Sequence, residues 1–97
     1  MTEKDARKEL MRRAKELNST VHVGKDGIDV GLINEIIAQL KNARLIKVKV
    51  LNTVDGDVKE IAETLAESTK SVVVDVRGGV VVLTDKRTWT SLSQKKF

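Results

Sequence analysis

Cysteine, proline and tyrosine are missing from this sequence, and Trp89 and Phe97 are its only aromatic residues. Without cysteine there can be no disulfide and no thiolate metal site, which fits a reducing compartment; a cytoplasmic location is expected. Without proline, no helix or strand is interrupted by a missing backbone N–H. Two aromatics are too few for the stacking platforms that hold unpaired bases. His22 is the single histidine and has no cysteine or second histidine to share a metal, so it reads as a surface or packed structural residue. No apolar run approaches the ~20 residues of a membrane span, and the polar N-terminus is not expected to act as a secretory signal.

Catalytic motifs are equally scarce. No serine or carboxylate sits in a recognisable catalytic pattern, and G-x-x-x-x-G-K-[ST] does not occur. Asp55 and Asp57 flank a helix start, where carboxylates usually serve as caps. A non-enzyme is expected, with no cofactor, no metal, no small-molecule substrate and no membrane partner.

What the chain has is charge, unevenly placed. The 97 residues carry 18 Lys and Arg against 14 Asp and Glu, a formal net charge of +4. Residues 1–50 hold eleven basic and seven acidic side chains, residues 51–70 two and five, and residues 71–97 five and two. Both ends are basic and the middle is acidic. A basic side suits a polyanion such as RNA, DNA or an anionic membrane, whereas the plain alternative is an ordinary solvated surface. The length is that of one domain.

Hydrophobic spacing outlines the elements. Ala6, Leu10, Ala14 and Leu17 recur at helical intervals, predicting a first helix from Lys4 to about Leu17, stopped by Asn18. Thr20–Val23 reads as a short strand. A second helix is expected from Val30 to Ala43 behind an Asp29 cap, with Leu32, Ile33, Ile36, Ile37 and Leu40 as its apolar stripe. Arg44 to Leu51 alternates: Ile46, Val48 and Val50 face one way, and Leu45, Lys47, Lys49 and Leu51 the other. Asn52 to Gly56 is a loop. Asp57 caps a third helix that ends near Ser68, burying Val58, Ile61, Ala62, Leu65 and Ala66 and exposing Glu60, Glu63 and Glu67. Two valine-rich runs around Gly78-Gly79, Ser71–Arg77 and Val80–Thr84, form a hairpin.

The order α-β-α-β-α-β-β predicts an α/β (α+β) two-layer sandwich, a mixed four-stranded sheet with its helices on one face. The domain is expected to span residues 1–87. Residues 88–97 then form a polar C-terminal extension, which Trp89 anchors against the domain.

The best candidate for a functional feature is Gly24-Lys25-Asp26-Gly27, between the first strand and the second helix. Glycines let the backbone turn tightly and approach another chain closely. A helix N-terminus offers free N–H groups and the positive dipole end to a phosphate, and Lys25 adds a mobile cation. By spacing alone the loop serves equally well as a structural strand-to-helix turn. Lys47 and Lys49 project together from one sheet face, and Leu45 and Leu51 beside them suit contact with a partner. Arg7, Lys8, Arg12 and Arg13 on the first helix, and Arg44 before the second strand, complete the set of candidate residues for contact with a nucleic-acid backbone.

The stretch VHVGKDGIDVGLINEIIAQLKNARLIKVKVL, followed by SVVVDVRGGVVVLTDKR, resembles the CRM domain (chloroplast RNA splicing and ribosome maturation). That family includes the bacterial YhbY-like ribosome-associated proteins. The resemblance spans about residues 4–87 and implies RNA binding, with large-subunit ribosomal RNA or its precursor as the leading partner in ribosome assembly. It also implies a fold similar to the C-terminal domain of translation initiation factor three, with strand order 1-2-4-3. Gly24, Lys25, Asp26 and Gly27 then occupy the family's RNA-binding loop. Asp29 stands where many members have Thr, and Asp26 adds a second negative charge there, so neighbouring cations must compensate. A monomer, associated with ribosomes, is expected. Two other readings compete: a protein-interaction module docking a ribosomal or other basic partner through the acidic third helix, and a DNA-binding chromatin protein.

Overall fold

In the computed structural model, residues 2–24, 27–51 and 57–93 are described. Helix α1 runs Glu3–Ala14, β1 Ser19–Val23, α2 Val30–Ala43 and β2 Leu45–Val50; α3 spans Val58–Thr69, β3 Ser71–Arg77, β4 Val80–Asp85 and α4 Lys86–Ser93. The expected loop at Asn52–Gly56 lies outside the described residues. Three helices start where a side chain satisfies an otherwise orphaned N–H. Thr2 Oγ1 accepts from Asp5 N at 3.1 Å, Asp29 Oδ1 from Leu32 N at 2.7 Å, and Asp57 Oδ1 from Lys59 N at 3.0 Å. Helix α1 ends earlier than its apolar spacing suggests. Glu16 N and Leu17 N bond back to Arg13 O and Ala14 O in a turn, and Leu17 is left 37% exposed.

The sheet has the order β1-β2-β4-β3, as the family resemblance implied. β1 lies parallel to β2, and β4 runs antiparallel to both of its neighbours, β2 and β3. Gly78 and Gly79, at φ 49° and 81°, make the two-residue hairpin turn between β3 and β4. The second of them is also a close approach, since Val50 N donates to Gly79 O at 2.7 Å.

The helices are not confined to one face, and this corrects the two-layer expectation. On one side Ile36 and Leu40 of α2 and Ala62 and Leu65 of α3 pack on Val21, Val23, Ile46, Val48, Val50, Val81 and Leu83. On the other, Leu10 and Ala14 of α1 pack on Leu45, Val74 and Val82, with Met11, Trp89 and Leu92 closing the cluster. Leu45, expected beside Lys47 as a partner contact, is instead buried under α1. The valine-rich strands β3 and β4 are apolar on both faces, so each face needs a cover.

The supposed extension beyond residue 87 is also corrected. The fold continues through α4 to Ser93, where Thr88 N donates to Asp85 Oδ2 at 3.3 Å and Trp89 and Leu92 meet the second core. A bulge between Val73 and Asp75 gives β3 its remaining irregularity. It turns Val74 and Asp75 to the same side, Val74 into the core and Asp75 to Arg7.

Candidate nucleic-acid interface

The glycine loop leaves the C-terminal end of β1. Gly27 N donates to Gly24 O at 2.9 Å, closing a turn whose central residues, Lys25 and Asp26, lie outside the described residues. The two glycines are there for different reasons. Gly27 sits at φ +73°, a left-handed conformation that disfavours any side chain. A Cβ on Gly24 would meet only Leu51 Cδ1, at an ordinary 3.7 Å. Among the described residues, nothing in the packing requires a glycine at position 24. The N-terminus of α2 is less open than an anion site needs, because the Asp29 carboxylate already accepts from Leu32 N. A phosphate at this end would therefore depend on cations rather than on the helix dipole.

Strand pairing supplies those cations. His22 lies opposite Lys49, Lys49 opposite Val80, and Val80 opposite Arg77. Residues directly opposite point to the same sheet face, and Val21, Val23, Val48, Val50, Val76 and Val81 on the alternate face pack against the α2–α3 core. One row thus crosses all four strands on the α1 side, about 14 Å wide at roughly 4.8 Å per strand. His22, Lys49 and Arg77 are exposed in it. The next row, Ser19, Lys47, Val82 and Asp75, is largely covered by α1. Lys47 is half-buried and donates from Nζ to Leu17 O at 3.1 Å, so it ties the end of α1 to the sheet.

Helix α1 forms a wall beside this open row. Lys8, Met11, Arg12 and Lys15, with Arg7, line a cleft of about 460 Å³ together with Asp75 and Arg77. Their spacing places them on one helix stripe. Arg7 donates to Asp75 Oδ1 at 2.8 Å, and Arg77 Nε lies 2.8 Å from Asp75 Oδ2, out of line for a hydrogen bond. Burial opposes ionisation of Asp75, but the Arg7 hydrogen bond, the Val76 N–H and both guanidinium charges outweigh it and hold the carboxyl below its usual range. One carboxylate thus orients two arginines, and the cluster stays positive. Arg12 reaches Glu9 through two bonds, of 2.7 and 3.2 Å. Among the described residues, Lys8, Lys15 and Lys49 form no ion pair.

The remaining candidates lie elsewhere. Arg13 bonds Glu9 at 3.2 Å and faces a different hollow, beside Leu17, Ala43, Arg44 and Thr88. Arg44 precedes β2, at the end of the sheet away from Gly24. It caps α2 at φ 69°, its carbonyl accepts from Thr84 Oγ1 at 2.7 Å, and its guanidinium lies 3.5 Å from Asp85. Both arginines have structural partners, and neither adjoins the glycine loop. Two residues of the row escaped the sequence reading. Arg77 looks like a strand end and His22 like an isolated histidine; only the β1–β2 and β3–β4 registers bring them beside Lys49.

A four-stranded mixed sheet stands between two helix pairs, with a glycine turn and the basic side chains of Lys49 and Arg77 at one end, the arrangement of a compact α/β domain. The chain belongs to the CRS1/YhbY (CRM) domain family, whose model matches residues 1–83. It is 34% identical over 74 residues to Probable RNA-binding protein YqeI of Bacillus subtilis (strain 168), covering 76% of this chain and 77% of that one. Its fold is similar to the solution structure of the hypothetical protein SAV1595 from Staphylococcus aureus, described as a candidate RNA-binding protein. The TM-score is 0.74 at 36% identity, over 89% of this chain and 90% of the other.

Proposed function

We propose that this domain binds large-subunit ribosomal RNA or its precursor, acting without catalysis in ribosome assembly. The observation that carries this reading is the convergence at one end of the sheet of the Gly24–Gly27 turn and the cations around Lys49. Its family and its RNA-binding relatives support an RNA partner. In the proposed complex the turn approaches the RNA backbone closely at Gly24, Lys25 pairs with a phosphate, and Lys8, Arg12 and Lys49 extend the footprint. Lys47 and Arg7 act mainly by holding α1 against the sheet. Phosphate contacts orient a ligand without reading its sequence, so specificity rests on RNA shape.

The test is a fluorescence-anisotropy titration of structured ribosomal RNA fragments and matched DNA, comparing wild type with Lys25→Asp. Circular dichroism checks that the variant is folded. RNA binding that a folded Lys25→Asp variant loses supports the loop as the contact. Equal binding by both proteins rejects the loop, and equal affinity for DNA rejects an RNA preference. If neither protein binds nucleic acid, α3 becomes the leading surface, because Glu60, Glu63 and Glu67 stand exposed on it and suit a basic protein.

A further inference from the structure

A second basic pocket lies at the end of the sheet away from Gly24, where α2 and α3 finish and α4 begins. It has a volume of about 350 Å³, and Lys41, Arg44, Lys70 and Arg87 converge on it with a single acid, Asp85. That carboxylate is engaged by the protein itself. Its Oδ2 accepts from Thr88 N and lies 3.5 Å from the Arg44 guanidinium, and its Oδ1 is buried. Lys41, Lys70 and Arg87 are exposed and, among the described residues, form no ion pair. The acids of α3 do not line the pocket.

Part of this charge has a structural explanation. Lys41 in the last turn of α2 and Lys70 as the C-cap of α3 complement the negative ends of their helix dipoles. Arg87 has no such explanation. It stands in the first turn of α4, where a cation opposes the dipole and no acid shares the turn. Four cations outweigh one carboxylate and two helix ends of about half a charge each, so the pocket attracts an anion. Strand β2 separates it from the glycine turn. Arg44 precedes the strand and Leu51, beside Gly24, follows it, about 20 Å away at roughly 3.3 Å per residue. That separation exceeds the screening length of about 8 Å at physiological salt, so the two ends act on separate phosphates. We infer, on the RNA-binding reading proposed for this domain, that Lys41, Arg44, Lys70 and Arg87 hold the phosphate backbone of a second RNA segment. One chain then bridges two segments of RNA.

The experiment mixes donor- and acceptor-labelled copies of one structured ribosomal RNA fragment with the full chain at physiological salt and reads energy transfer between them. Fluorescence anisotropy of a single labelled fragment measures the first binding event, and circular dichroism confirms the fold. Wild type should produce transfer that rises with added chain and falls once chain is in excess, when each fragment takes a chain of its own. The double variant Lys70→Gln/Arg87→Glu changes two exposed side chains and should lower the peak transfer about tenfold. Its affinity for a single fragment should stay within about threefold of wild type, because the glycine turn and the cations around Lys49 are untouched. No transfer with wild type, or undiminished transfer with the double variant, overturns the bridge while RNA binding itself stands. Loss of single-fragment binding by a folded double variant also overturns it, since the pocket would then belong to the first contact. Failure of wild type to bind the fragment at all overturns the RNA reading and this inference with it.

Discussion

At the scale of single residues, the two glycines of the turn make opposite predictions. Gly27→Ala forces a side chain into a left-handed conformation and should cost about 1 kcal/mol of stability. Gly24→Ala adds a methyl group at ordinary contact distance from Leu51, so its unfolding midpoint should match wild type. If RNA approaches the backbone there, its affinity should nevertheless fall. Urea unfolding and RNA titration of both variants separate the structural glycine from the binding one; unimpaired RNA binding by Gly24→Ala would remove the close-approach role. Asp75 carries a different kind of test. Its folded carboxyl is held below the ordinary value of about 3.9, so the ionised form binds its arginines better than the protonated form does. The resulting stability is complete above that ordinary value and is lost as the pH falls through the lowered folded one. Asp75→Asn should lose about 2 kcal/mol at neutral pH, the worth of a charge-assisted hydrogen bond. Thermal melts taken from neutral pH into acid should show the gap between the two proteins closing.

At the scale of elements, local signals located most of the chain. The Asp29 and Asp57 caps, the Gly78-Gly79 turn and the alternation of β2 are each written within a few residues. The family resemblance, rather than any periodicity, supplied the strand order. Helix α4 was missed because eight residues hold only Trp89 and Leu92 as apolar anchors, too few to establish a period. The second core was missed for a related reason: the buried stripe of α1 is Ala6, Leu10 and Ala14, a thin signal that does not say which sheet face it covers. The candidate site was legible where it is local, at residues 24–27 and along α1. It was illegible where it depends on register, at His22 and Arg77. If α4 is part of the core, Trp89→Ala should cost about 2 kcal/mol, less than a fully buried aromatic because the ring is half-exposed. A loosely attached tail would show no change in the chemical unfolding midpoint.

At the scale of the whole molecule, charge is sorted by end and by layer. The open cationic row and the α1 stripe lie on one side of the sheet, and the acids of α3 lie on the other. If about three to six phosphates are neutralised, the logarithm of RNA affinity should fall with the logarithm of salt at a slope of about −3 to −5. Lys49→Glu should flatten that slope by about one unit, and a salt-independent affinity would exclude the surface. The Arg7–Asp75 ion pair has a consequence in time as well as in space. It joins residues 68 positions apart, and the core beneath it brings Leu10 and Ala14 to Val74, Val82 and Trp89. During synthesis the first helix emerges long before any residue it packs on, whereas β3 and β4 close their hairpin across two glycines. Contacts so distant in sequence form late, because loop closure must precede their reward. The first helix to be made is thus expected to dock late, and native-state amide exchange should find α1 opening more readily than the β2–β4 centre. On that order the sheet is complete before α1, the wall beside its basic row, is raised.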